Sequence, residues 1–249
     1  MGKGIKIVGC FLVVLSFVAC STSFQANKVQ YKDYKINTKQ QANAAVIKML
    51  QPYSDSVNKT MNDVLAIAAM PLEKNQPEGT LGNVLADAML DQAQKNYQIP
   101  IDAVFMNSGG IRLPSIAAGN ITRGKVFEMA PFDNIVVVLK IKGNVLQEFL
   151  NLIAARGGWP CAGIQYQISN KTAVNITIAN KPLQINNVYT IATLDYVANG
   201  GDDCIMLKDI QQLNNGFLFR DAVIQYFVQI NAQGKQIQSS IQNRVSYAK

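Results

Sequence analysis

Three apolar runs, residues 101–106, 136–141 and 188–194, constrain this chain more than any other feature. Each has the length of a strand, and residues 136–141 are strongly β-branched, so all three read as strands. Each adjoins a loop of polar, aromatic and small residues. Residues 101–106 run into Asn107-Ser108-Gly109-Gly110-Ile111-Arg112, and Ala130-Pro131-Phe132-Asp133-Asn134 leads into residues 136–141. Residues 188–194 run into Asp195-Tyr196-Val197-Ala198-Asn199-Gly200-Gly201-Asp202.

Helical spacing recurs around these strands. Leu81, Val84, Leu85, Ala88 and Met89 form one stripe over residues 80–97, with Thr80 placed to cap it. Gly143 turns the second strand into a helix carrying Leu146, Phe149, Leu150 and Ile153 at i, i+3, i+4 and i+7, and residues 217–228 make a closing helix. Ala42, Ala45, Val46, Met49 and Leu50 repeat at the same period within residues 39–58, where Pro52 is expected to bend or end the helix. Ile164, Tyr166 and Ile168, then Val174, Ile176 and Ile178, alternate with polar residues across an Asn170-Lys171 turn, which predicts a hairpin with one buried face. Residues 64–70 read as a buried strand and residues 29–38 as one short strand. Mixed strands and helices without a repeat or linker predict an α+β fold. We expect a single domain over residues 39–249, with a mixed β-sheet and flanking helices.

The length of 249 residues and a hydrophobic share of 49% suffice for a sizeable core. The charge sum is 23 − 16 = +7, without a dense Lys/Arg stripe, so no nucleic-acid partner is expected. The sequence contains no histidine. That excludes most zinc and di-metal hydrolase sites, Ser-His-Asp triads and Cys-His pairs from these residues, because imidazole ligates the metal or carries the proton. No catalytic residue and no metal ligand is assigned in this chain.

Residues 1–20 read as an export signal: Lys3 and Lys6, an apolar stretch from Ile7 to Ala19, then Cys20. The stretch is shorter than the roughly 20 residues that span a bilayer. Phe17-Val18-Ala19-Cys20 resembles a bacterial lipobox, which predicts lipidation at Cys20, a tether over residues 21–38 and an exported, lipid-anchored protein of the cell envelope, periplasmic or at the surface. An ordinary cleaved signal is the other reading. With Cys10 lost in the leader, Cys161 and Cys204 remain, either as a disulfide or as two separate buried thiols.

The loops carry the chemistry of a nucleoside or nucleotide site. Gly109 and Gly110 let backbone N–H groups approach an anion, and Arg112 can hold a phosphate or carboxylate in a fork. Phe132 and Tyr196 can sandwich a flat base. Asp202, at the end of the Gly200-Gly201 turn, can accept from two ribose hydroxyls, and Asn107 and Asn134 can read polar edges of base or sugar.

In this order and spacing the three loops resemble the C-terminal domain of the 5'-nucleotidase family. So do Leu81-Gly82-Asn83-Val84-Leu85-Ala86-Asp87-Ala88, Val188-Tyr189 and Arg220-Asp221-Ala222-Val223, and the likeness covers residues 39–249. The resemblance implies a nucleoside-binding domain in which Phe132 and Tyr196 stack on the base and Asp202 holds the ribose. It also implies Asn107 and Arg112 near base and phosphate, and Asn134 near the base. Family members often carry another arginine shortly before the Leu-Gly-Asn helix, where this chain reads Lys74-Asn75-Gln76-Pro77-Glu78. Hydrolysis in the family belongs to a separate N-terminal metallophosphatase domain with two metals. We therefore expect the nucleotide-recognition half of a 5'-nucleotidase, with divalent metals carried only by a metallophosphatase partner acting in trans. The alternatives are a stand-alone nucleotide-binding lipoprotein and a degenerate domain kept for protein contacts.

Overall fold

Strands β3 (Ala103–Phe105), β6 (Val136–Lys142) and β11 (Val188–Leu194) form the centre of one sheet, because their β-branched and aromatic side chains fill a core from which water is excluded. The structure, a computed structural model, describes residues 28, 30–33 and 42–248. The expected export signal with Cys20, the tether and most of the strand at residues 29–38 lie outside the described residues. Residues 30–33 carry no regular structure. Contacts divide the chain into a unit ending at Met49 and a unit from Leu50 to Lys249.

Helix α1 (Ala44–Met61) is followed by β1 (Val64–Ala68), β2 (Leu72–Glu73), α2 (Thr80–Tyr97), β3, β4 (Ser115–Ile116), β5 (Gly119–Thr122), α3 (Arg123–Met129) and β6. Then come α4 (Gly143–Ala155), β7 (Cys161–Ala162), β8 (Ile164–Ser169), β9 (Thr172–Ile178), β10 (Lys181–Pro182) and β11. The chain closes with α5 (Asp195–Ala198), β12 (Gln212–Leu213), α6 (Phe219–Ala232) and β13 (Val245–Tyr247). The fold is α+β with two mixed sheets, ordered β12-β6-β11-β3-β7 and β10-β9-β8-β13, and two short ladders, β1-β5 and β2-β4.

Strand direction positions the site. β11 runs parallel to β3, with Ile191 opposite Ala103, and antiparallel to β6, with Leu194 opposite Val136. The ends of β3 and β11 and the start of β6 therefore emerge along the same sheet edge, which gathers the three loops there. Behind them Phe105 meets Phe149 edge-on at 5.2 Å, and Phe149 meets Trp159 at 6.1 Å. Such pairs contribute about 0.5–1.5 kcal/mol each beyond area burial.

Several local expectations are corrected. Pro52 does not end α1; it sits inside the helix, whose residues are all outside the core, so the carbonyl that loses its N–H partner is open to water. Asn43 caps this helix, its Oδ1 accepting from Ala45 N at 2.9 Å and Val46 N at 3.3 Å. Thr80 is already the first residue of α2, and its hydroxyl accepts from Glu73 N at 2.8 Å, tying β2 to the helix instead of capping it. β1 is not wholly buried: it pairs only with β5 within the sheets, and Val64 and Ile67 stay exposed. In the hairpin, Ala173 and not Val174 turns inward, because the register of β8 and β9 shifts between Gln165 and Gln167, opposite a left-handed Asn175.

Cys161 and Cys204 are separate, buried free thiols. Burial pushes both from their usual 9.0 up to about 12, with Asp202 adding to the rise at Cys204. A folded-state value above the unfolded one means that these thiols stabilise the fold fully below pH 9, and that this contribution is lost as pH rises towards 12. The polypeptide from Ser21 should resist iodoacetamide at pH 8 and take up two labels in urea, read by mass. Its urea midpoint should fall progressively above pH 9.

Candidate functional site

Asn107, Gly109, Gly110, Arg112, Phe132, Asn134, Tyr196 and Asp202 line one cavity of about 360 Å³ at this sheet edge. The volume lies within the ~300–1,000 Å³ usual for small-molecule sites. Size alone does not choose the site. A cleft of about 400 Å³ beside α2 and α6, lined in part by Asp87, Tyr226 and Lys235, gathers no second ring and no loop from the sheet edge.

The two rings are held at the rim, Phe132 45% and Tyr196 47% exposed, where core packing does not explain them. Asp195 clasps their loops together. Its Oδ1 accepts from Ile135 N and Tyr196 N, both at 2.9 Å, while its own N donates to Ile135 O at 2.8 Å. Asp202 lines the same cavity, its backbone in the left-handed region at φ 51°. Asn107 Nδ2 donates to Asp202 Oδ2 at 2.7 Å, and the Tyr196 hydroxyl stands 3.4 Å from Asp202 Oδ1. Asn107 Oδ1 is buried without a hydrogen-bond partner among the described residues.

Gly200 and Gly201 do not line the cavity. They shape it: Gly200 takes φ 92°, and a Cβ on Gly201 would stand 2.6 Å from the Tyr196 ring and 2.5 Å from Tyr196 O. Gly201 therefore lets the ring lie against the turn.

Arg112 is half of a cationic corner. Its guanidinium carbon lies 5.3 Å from the centre of the Phe132 ring and its Nη1 donates to Gly109 O at 3.3 Å. Lys74 supplies the other half. Its Nζ donates to Ile111 O at 2.8 Å, and burial, then repulsion from Arg112, holds its pKa below the usual lysine value. Both residues line a second concavity of about 450 Å³ that shares Gly109 and Arg112 with the first.

A family model described as "5'-nucleotidase, C-terminal domain" matches residues 56–209. The chain belongs to the 5'-nucleotidase family. A 5'-nucleotidase of Vibrio parahaemolyticus is 30% identical over 168 residues, 64% of this chain and 29% of that protein. Protein UshA of Yersinia enterocolitica is 26% identical over 193 residues, 73% of this chain and 34% of its own length. The crystal structure of a 5'-nucleotidase precursor from Thermus thermophilus superposes with a TM-score of 0.71 at 25% identity, covering 81% of this chain and 43% of that one. The chain thus spans about a third of the length of the curated relatives it matches.

Three cationic side chains of this 5'-nucleotidase domain stand against the loops in contacts that the motifs do not reveal. Lys74 is the first. Arg156, at the end of α4, pairs with the Asp203 carboxylate and lies 4.0 Å from Asp202 Oδ1, bracing the turn at Gly200-Gly201. Arg220, on α6, is 8% exposed and lies 4.2 Å from the centre of the Phe127 ring. It donates to Ala130 O and Phe132 O at 3.4 Å and pairs with the Asp133 carboxylate, which fixes the Phe132 loop. The residues present do not fit a metal pair: there is no histidine, and no three acidic or sulfur side chains cluster as ligands among the described residues.

Proposed function

We propose that this chain is the nucleotide-recognition part of a 5'-nucleotidase, exported and lipid-anchored at Cys20, whose phosphate-ester hydrolysis is done by the metals of a separate metallophosphatase. The observation that carries it is the meeting of two rim aromatics, a hydrogen-bonded carboxylate and Arg112 in one cavity of this family's domain, with Lys74 beside Arg112 in the adjoining concavity. The exposed rings take the base, each stack contributing about 1–3 kcal/mol. Asp202, its Oδ2 held by Asn107, offers Oδ1 to the ribose hydroxyls. Arg112 and Lys74 face the phosphate end, two cations for a dianion. With no imidazole in the sequence and no ligand cluster among the described residues, activation of water falls to the partner.

Calorimetric titration of the polypeptide from Ser21 with adenosine and then AMP tests the reading. Wild type should bind both, and Asp202→Ala should weaken both by about 10- to 150-fold, the equivalent of ~1.5–3 kcal/mol for hydrogen bonds to a charged group. No wild-type binding at millimolar ligand sinks the recognition role. Binding without any acceleration of hydrolysis when a purified metallophosphatase is added leaves a stand-alone binder.

A further inference from the structure

The positive charge of this chain is not spread over it. Residues 28–61 hold Lys28, Lys32, Lys35, Lys39, Lys48 and Lys59 against Asp33 and Asp55, or 6 − 2 = +4. Residues 62–249 hold 15 basic and 14 acidic side chains, or +1, and Lys3 and Lys6 account for the remaining +2. Once the signal is removed, four of the five surplus charges lie in the 34 residues that precede the folded sheets.

The same stretch holds helix α1, eighteen residues with none buried. Val46, Leu50, Tyr53 and Val57 stand at i, i+4, i+7 and i+11 and share one stripe, with Lys48, Asp55 and Lys59 on the opposite side. Leu50 is 51%, Tyr53 72% and Val57 54% exposed, an apolar line of the kind that marks an interaction surface. Among the described residues no helix is long and apolar enough to cross a membrane, so this stripe fits lying on a bilayer and not spanning it.

We propose that α1 lies on an anionic lipid surface as a second attachment beside the lipid at Cys20. The proposal rests on the envelope localisation given above, which brings the segment to a membrane. Its occupant follows from charge complementarity. The net +4 of residues 28–61, three of it before the helix and one within it, is attracted to anionic headgroups while Val46, Leu50, Tyr53 and Val57 enter the headgroup boundary. A partner helix explains less. The stripe covers less than two heptads, and the helix's own lysines lie away from it, where they cannot pair across a helical seam.

The test is co-sedimentation of the polypeptide from Ser21, which keeps every described residue and carries no lipid, with vesicles of phosphatidylglycerol and phosphatidylcholine or of phosphatidylcholine alone. Partitioning should be at least about tenfold stronger onto the anionic vesicles and should weaken in 0.5 M salt. Lys48→Glu with Lys59→Glu should remove the anionic preference, and Leu50→Asp with Val57→Asp should abolish sedimentation. Both variants should keep the wild-type near-UV circular dichroism, since the altered side chains are exposed. Equal weak sedimentation of the wild type on both vesicles, or variants that sediment like the wild type, overturns the proposal. So does a change confined to oligomeric state or protein capture. Vesicle binding by a protein that binds no adenosine would sink the recognition role and leave this inference standing, whereas a protein that carries no lipid at Cys20 when extracted from cells would sink the lipid anchor and leave only the contact of α1 with the bilayer.

Discussion

Replacing both Phe132 and Tyr196 with alanine should weaken adenosine binding by about 30- to 10⁴-fold, the product of two stacking terms of ~1–3 kcal/mol each. The single substitutions should each cost roughly 5- to 150-fold. Both rings are about half exposed, so their removal should leave the urea midpoint nearly unchanged, unlike loss of the buried Phe149 or Trp159. Tyr196→Phe keeps the stack and deletes only a hydroxyl 3.4 Å from Asp202, so its affinity should stay close to wild type. Adenosine and AMP should lose the same factor, because a stack acts on the base they share. One departure is specific to Phe132: Arg112 lies over its ring, so the cost of Arg112→Ala for AMP should differ between the wild-type and Phe132→Ala backgrounds. Calorimetry on the four proteins measures that difference. An unchanged affinity in the double alanine variant would show that neither ring touches the ligand.

The chemistry of the three loops was legible because each loop is contiguous in sequence and adjoins a strand of clear pattern. Their convergence was not. It depends on β11 running parallel to β3 and antiparallel to β6, and nothing local to any of the three strands encodes its direction in the sheet. The supporting cations were hidden for the same reason. Arg156 and Arg220 lie 46 and 88 positions from Asp202 and Phe132, and each meets its loop only through folding. Lys74 was partly legible, since it stands in the stretch where family members often carry an arginine, but its place beside Arg112 comes from the Ile111 carbonyl that holds it. Local rules failed where a tertiary partner competed for the same group. The Thr80 hydroxyl fits a helix cap by sequence, yet the amide of Glu73 takes it. Pro52 breaks helices whose backbone is shielded, and α1 is not shielded.

Arg244→Met should lower stability by about 2–4 kcal/mol, the largest loss expected from one substitution outside the apolar core. Arg244 is 8% exposed, and its guanidinium grips Asp87 with two nitrogens, at 2.7 Å and 2.8 Å, while Nη1 also donates to Cys161 O at 3.0 Å. Its backbone N donates to Glu78 Oε2 at 3.1 Å, and its Nε donates to Gln242 Oε1 at 2.9 Å. One side chain thus ties three things together: the C-terminal segment, helix α2, and strand β7. β7 pairs with β3, the strand that leads into the Asn107 loop. The figure sits below the usual ~3–5 kcal/mol for breaking a buried pair because the Asp87 side chain keeps 37% of its surface in water, where an unpaired carboxylate is partly solvated. Removing the carboxylate as well should recover part of the loss, so Arg244→Met with Asp87→Leu should be more stable than Arg244→Met alone. Urea unfolding of the wild type, the two single variants and the double variant gives the coupling directly, with the midpoint shifting and the slope unchanged. Adenosine affinity of the folded fraction should match the wild type, because Arg244 lies outside the cavity that Phe132 and Tyr196 flank. A double variant no more stable than Arg244→Met would show that the cost lies in the lost hydrogen bond to the Cys161 carbonyl and not in the orphaned charge of Asp87.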